Sequence, residues 1–306
     1  MWMRICQELK MAAEAKRTLL VTGAGGQLGT DCVACLSDTW NVIPVRRADG
    51  DITNATAIAD LFAHHRPDVV VNCAAYTQVD ACESDQETAF QLNAEAPGML
   101  ARESVRIGAH LIHLSTDYVF DGTREVPTPY VEDDATGPAS VYGESKLQGE
   151  AAVQSASPSA AILRTSWVYG IHGNNFLKAV LARARQVPDA PLRVVNDQHG
   201  SPTWTVRLAE QIGAIAEAGL SGVRHATGEG HCTWYDFAQR FFELMDIPVQ
   251  LEPCTTADFP RPAARPMNSI LENARLNQAG LNRMQAWQDD LAAFVSANRQ
   301  QLLSAS

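Results

Sequence analysis

The chain has 306 residues, 46% of them hydrophobic and 19% charged, enough to bury a sizeable core in one large domain or two closely joined ones. A formal net charge of -11 disfavours nonspecific contact with nucleic acid or an anionic membrane, so any phosphate must be held locally. The longest apolar runs, such as "DVVVNCAAY" and "HLIHLSTDYVF", fall well short of the roughly 20 residues of a membrane span.

Residues 1–17, "MWMRICQELKMAAEAKR", carry charges throughout and lack the apolar centre of a secretory signal. Seven cysteines, an odd number scattered along the chain, suit reduced thiols better than a disulfide framework, and a cytoplasmic location is expected. Cys32 and Cys35 form a single CxxC with no second pair to complete four zinc ligands; they read as small residues on a helix.

"TLLVTG" (18–23) reads as a strand and "QLGTDCVACL" (27–36) as a helix, joined by the turn "GAGGQLG". A glycine-rich turn in that setting lets the backbone approach a pyrophosphate, and the helix N-terminus offers it free N–H groups. Gly23, Gly25, Gly26, Gln27, Leu28 and Gly29 are therefore candidate dinucleotide contacts. "WNVIPV" (40–45), "DVVVNCA" (68–74), "AHLIHLSTDYVF" (109–120), "AAILRTSWVY" (160–169) and "LRVV" (192–195) read as buried parallel strands with helices between most of them. The fold class is α/β, a doubly wound parallel sheet of Rossmann type, with its ligands beyond the carboxyl ends of the strands.

After the second strand, Arg46 and Arg47 stand where an acid would bind a free ribose 2′-hydroxyl, which favours NADP over NAD; a solvated loop is the plainer alternative. Asp51, followed by Ile52, is a candidate for the adenine edge, or a cap for a helix starting near Thr53. Tyr142 and Lys146 of "VYGESK" are four apart and share a helical face. Residues 18–170 and 192–222 are assigned to the dinucleotide domain, with 171–191 and 223–306 forming a smaller, mostly helical substrate domain. In it "TWYDFAQRFFELM" (233–245) is an amphipathic helix whose aromatic stripe reads as core, with Thr233 and Asp236 as a capping-box-like pair.

The strings "TGAGGQLG", "VNCAAYT", "LNAEAP", "STDYVFDG" and "VYGESK", in this order, resemble an extended short-chain dehydrogenase/reductase. "RTSWVYG", "GNNF", "NDQHGSPT", "TWYDFA" and "RPAARPMNS" narrow the likeness to the dTDP-4-dehydrorhamnose reductases, from about Thr18 to Phe294. The resemblance implies NADPH-dependent reduction of the C4 ketone of dTDP-4-dehydro-L-rhamnose, with NADH as a second donor, and a catalytic set of Thr116, Tyr142 and Lys146. Tyr142 would donate the proton, its high intrinsic pKa brought down by the Lys146 ammonium, while Thr116 holds the carbonyl oxygen. A Glu after Asp117, as in sugar 4,6-dehydratases, is missing, so dehydration is not expected.

By the same resemblance, Asn72, Ala74, Ala75 and Tyr76 lie along the cofactor with Lys146, and Asn93 supports the lysine through water. Substrate contacts would come from Val79, Asp80, Thr116, Asp117, Tyr118, Trp167, Asn174, Asn175, Phe176 and Arg265; Arg265 binds the diphosphate, with Arg261 as its alternative, and Trp167 is equally well read as core. The partner is a nucleotide sugar, with neither nucleic acid nor membrane. Residues 1–17 are extra to the family. Some members dimerise through metal held by acidic residues; Asp31 matches one such position but Val206 stands at another, so no metal is expected and a homodimer stays open. A reductase or epimerase of another nucleotide sugar and a non-catalytic NADP-binding regulatory subunit are the competing readings.

Overall fold

The computed structural model describes residues 16–187 and 190–304, so the N-terminal extension, Lys16 and Arg17 apart, lies outside the described residues. Six strands, β1 (Thr18–Thr22), β2 (Asn41–Val45), β3 (Val69–Asn72), β4 (His110–Thr116), β5 (Ala161–Thr165) and β6 (Gly222–His225), form one parallel sheet. Their order is β6-β5-β4-β3-β1-β2. The runs Leu19–Val21 and Val69–Val71 are fully buried, as strands covered on both faces must be.

One face is covered by helices α1 (Gln27–Leu36) and α6 (Thr205–Ala218), which bring Cys32, Leu36, Leu208 and Ile212 onto Leu19, Val21 and Ile112. The other face carries α2 (Ala55–His65), α3 (Ala96–Ile107) and α4 (Val141–Ala156), with Phe62, Leu100 and Val153 packed on Leu20, Val70 and Leu111. A separate core joins α5 (Phe176–Gln186), α7 (Trp234–Met245) and α8 (Trp287–Ser304) through Leu177, Phe237, Phe241, Phe294 and their neighbours. The aromatic stripe of α7 is core, as its spacing predicts, and Thr233 and Asp236 complete a reciprocal capping box at its start.

Three expectations change. Leu192–Val195 is a strand but not part of the main sheet: it pairs with Leu251–Cys254, and Leu192 and Val194 bury into the helical core. The sixth place goes to Gly222–His225, which follows α6 and lies beside β5. A four-residue apolar run fits either site, and only the partner decides. The run 160–169 is also broken: β5 stops at Thr165, Trp167 takes a left-handed φ of 48°, and Val168–Tyr169 pairs with Thr203–Trp204 instead. Lastly, "LNAEAP" opens on a wide π turn, Gln91–Glu95, leading into α3. Among the described residues no helix is long and apolar enough to cross a membrane.

Candidate active site

The chain leaves β1 for β2 on one side and returns to β3 on the other, so the loops after β1 and β3 part at the switch point of the sheet. They touch backbone to backbone. Gly23 has φ of 67°, and a Cβ there would lie 2.7 Å from the Ala74 nitrogen. At Gly29 a Cβ would lie 2.2 Å from the Gly23 carbonyl oxygen, so the turn closes only with glycine at both places. Gly26 caps α1 without a side-chain hydrogen bond, which leaves the N–H groups of Gln27, Leu28 and Gly29 without a capping side chain, an arrangement that could hold an anion. The Leu28 side chain packs into the core, so only its backbone is available there.

Arg46 and Arg47 are exposed where β2 ends, the Arg46 stem running beside Gly25. Asp51 is a turn residue: its carboxylate accepts from the Thr53 N–H (2.9 Å) and hydroxyl (2.7 Å), which holds its pKa below the ordinary carboxylate value. The cap of α2 is Asn54, not Asp51, and Ile52 is buried.

The candidate catalytic residues do converge. Ser140 caps α4 through the Gly143 N–H at 3.2 Å, and a Cβ on Gly143 would lie 2.2 Å from the Tyr118 carbonyl oxygen. That close seat sets the turn Asp117–Val119, and with it Thr116 at the end of β4, against the first turn of α4. Tyr142 is 8% and Lys146 2% exposed, and the Tyr142 ring meets Tyr118 edge to face at 5.4 Å. The Thr116 hydroxyl donates to Asp117 Oδ1 (2.9 Å), and Ser269 donates to Asp117 Oδ2 (2.5 Å).

Burial governs the protonation of the site. It pushes the Asp117 carboxyl up to about 6, against the hydrogen bonds from Ser269 and Thr116. It pushes Lys146 down to about 8, with Glu150 the main opposing influence, and Lys146 Nζ donates to the Leu114 carbonyl at 2.6 Å. The Tyr142 phenol is pushed well up by burial, opposed by its hydrogen bond with Thr116 and reinforced by Asp117. This corrects the expected lowering by Lys146: the ammonium is turned to Leu114, and desolvation of a buried phenolate dominates.

Both asparagines near the cofactor crevice are committed to protein groups. Asn72 accepts from the Thr22 hydroxyl (2.6 Å) and the Ala74 N–H (3.2 Å) and contacts His113 Nδ1 (3.0 Å), tying β1, β3 and β4 together. Asn93 accepts from the Tyr76 N–H (2.8 Å) and donates to the Tyr76 carbonyl (3.0 Å) and Ser145 Oγ (3.1 Å). Its amide thus holds the β3 loop to α4 directly. Ala75 is half-buried in that loop.

A cleft of about 770 Å³ opens from Tyr118 and Asp80 toward Phe176, Trp234 and the arginines Arg183, Arg193, Arg261 and Arg265. In a chain of net charge -11 this is a local cationic wall. Arg265 pairs with Asp80 at 2.8 Å and Arg193 with Asp258 at 3.0 Å. A smaller cavity of about 140 Å³ adjoins it, between Asp117, Ser269, Trp167 and Trp234. Trp167 lies flat on Trp234 (3.5 Å between centroids, 5°) and over Gly200, where a Cβ would lie 2.3 Å from the indole, so it is both packed and cavity-lining.

Other candidates stand further back. Val79 packs beneath Tyr76, Tyr118 and Tyr142. Asn174 is exposed. Asn175 caps α5 through the Lys178 N–H (3.2 Å) and donates to Gln27 Oε1 (2.8 Å) and the Gly170 carbonyl (2.7 Å). Asp31 faces His172 Nε2 at 3.6 Å. Ser269, Gln198, Trp234 and Arg183 were not anticipated; each lies in a string already noticed or on a basic helix face, but none carries a local signature of its own.

Residues 17–300 match the family model described as RmlD substrate binding domain. A probable dTDP-4,6-dihydroxy-2-methyloxan-3-one 4-ketoreductase of Streptomyces antibioticus is 44% identical over 278 residues, 89% of this chain and 92% of the relative. A dTDP-4-dehydrorhamnose reductase of Mycobacterium tuberculosis is 42% identical over 293 residues, 94% and 95% of the two chains. The crystal structure of a dTDP-4-dehydrorhamnose reductase from Bacillus anthracis in complex with NADP superposes with a TM-score of 0.88 at 35% identity, covering 92% of this chain and 99% of that one. A glycine cradle at the switch point, a buried Thr116–Tyr142–Lys146 set and these full-length matches agree: the chain belongs to the dTDP-4-dehydrorhamnose reductase family of extended short-chain dehydrogenases/reductases.

Proposed function

We propose that the chain reduces the C4 ketone of dTDP-4-dehydro-L-rhamnose to dTDP-L-rhamnose with NADPH. The observation that carries this reading is the burial of Thr116, Tyr142 and Lys146 together, with Tyr142 packed against Tyr118, which lines a cleft that also holds four arginines. The residues present fit the cofactor: the uncapped N-terminus of α1 and the glycines that admit no Cβ suit a pyrophosphate, and Arg46 beside Gly25 suits a 2′-phosphate. NADPH, when bound, supplies the hydride.

Burial keeps Tyr142 protonated at neutral pH, the form a proton donor to a developing alkoxide needs. Thr116, beside the phenol, holds the carbonyl oxygen at that donor once its hydroxyl proton turns from Asp117 Oδ1, to which it donates in the free protein, to the substrate. Lys146 places a positive charge one helical turn from the phenolate left behind. Arg261 and Arg183 bind the diphosphate, and Arg265 joins them from its pair with Asp80.

The 44% identity to the Streptomyces antibioticus 4-ketoreductase supports a second reading, a different dTDP-linked ketone as substrate. The test is the loss of reduced-nicotinamide absorbance with dTDP-4-dehydro-L-rhamnose, run with NADPH and with NADH. Turnover to dTDP-L-rhamnose, faster with NADPH and reduced at least ~100-fold in Tyr142→Phe, is expected. Intact NADPH binding without turnover of this sugar would overturn the assignment and favour the second ketone.

A further inference from the structure

Tyr142, Lys146 and Glu150 recur every fourth residue on the buried face of α4. Glu150 is 4% exposed and is held from two neighbouring strands. Ser115 on β4 donates to its Oε1 at 2.5 Å, and Arg164 on β5 reaches both oxygens, Nε to Oε1 at 2.9 Å and Nη2 to Oε2 at 2.7 Å. Consecutive residues of β4 thus serve the stripe in turn: the Leu114 carbonyl takes Lys146, the Ser115 hydroxyl takes Glu150, and Thr116 meets Tyr142.

An ammonium with one carbonyl partner in a buried pocket loses its proton readily unless a nearby carboxylate retains it. We propose that Glu150, locked by Ser115 and Arg164, is a positioning residue that keeps Lys146 charged during the reduction. The inference rests on the reductase reading for its catalytic meaning. Cys73, in the loop after β3, also favours the charged lysine, whereas the fully buried His113 of β4 is itself held neutral by desolvation and by Lys146. Tyr142 is kept neutral by burial, and Arg164 offsets part of the Glu150 charge while holding its carboxylate in place. Of the groups that favour the charged lysine, Glu150 exerts the largest influence.

The chain has only four lysines, Lys10, Lys16, Lys146 and Lys178, so a protein carrying ¹³Cε-lysine gives four resonances, with Lys146 assigned by its loss in Lys146→Met. In the wild type the Lys146 resonance should titrate near the value of about 8 that its surroundings set. In Glu150→Gln the midpoint should fall by about one unit, and the alkaline limb of kcat should move down with it while the KM for NADPH changes little. Removing one partner of a buried pair can unfold a chain, so Glu150→Gln/Arg164→Met, which removes both charges, is measured beside it; its downward shift should be smaller, because the Arg164 charge that partly offset Glu150 is gone as well. A Lys146 midpoint unmoved in the folded variant overturns the proposal. The resonance needs no substrate, so absence of turnover in the wild type would count against the reductase reading alone.

Discussion

Burial of Lys146 and Asp117 costs stability, and the signs of their pH dependence are opposite. The folded-state pKa of Lys146, about 8, lies below its ordinary value of 10.5, so its contribution is most favourable above 10.5 and is lost as pH falls through 8. At pH 7 the penalty is about 3 kcal/mol, at 1.36 kcal/mol per unit. Lys146→Met should therefore melt higher than the wild type at pH 7, with the gap closing between about pH 8 and 10.5, while reduction is lost. Asp117 is raised from 3.8 to about 6, so its favourable contribution is present below 3.8 and is lost as pH rises through 6. For Asp117→Asn the stability gap should open between about pH 4 and 6 and reach about 3 kcal/mol at pH 7, less any loss from the Ser269 bond. Denaturant melts across pH check both; variants no more stable than the wild type at pH 7 would contradict the burial argument.

At the scale of elements, the joint between α4 and the π turn at Gln91–Glu95 holds the helix of Tyr142 and Lys146 in place. A Cβ on Gly149 would lie 2.0 Å from the Asn93 carbonyl oxygen, backbone that cannot step aside cheaply. Gly149→Ala should cost about 1–3 kcal/mol of stability. It should also lower kcat more than it raises the KM for NADPH, because it displaces Lys146 and Tyr142 but not the glycine turn. Kinetics together with a thermal melt test this. The cap of α7 was legible in the sequence, since a capping side chain acts within three residues of itself; the Ser140 cap of α4 follows the same local rule but was not anticipated. The π turn could not: "LNAEAP" has helical composition, and its widening is set by where Asn93 meets Tyr76 and Ser145, 17 and 52 residues away.

Across the whole molecule, a few long-range contacts join the sheet to the helical core. Gln27 on α1 meets Asn175 at the start of α5, Asp80 meets Arg265, and Asp117 meets Ser269. Asn175→Ala removes both a helix cap, worth about 1 kcal/mol, and the link to the cofactor turn. Because Phe176, the next residue, lines the cleft, the KM for the nucleotide sugar should rise several-fold more than the KM for NADPH. Equal changes in the two constants would show that the cap acts on stability alone.

The local features of this protein were legible in its amino-acid order: the glycine turn after β1, the period of the buried strands, the capping box of α7 and the four-residue spacing of Tyr142 and Lys146 all depend on neighbours within one turn of helix or one tight loop. Tertiary structure decided what depends on remote partners. It gave the sixth place in the sheet to Gly222–His225 rather than Leu192–Val195, because strand membership is settled by the strand alongside. It brought Ser269 to Asp117 across 152 residues, Arg265 to Asp80, and Arg164 to Glu150. It also reversed the expected effect on Tyr142, since desolvation is a property of the assembled site and not of the spacing of two residues on a helix.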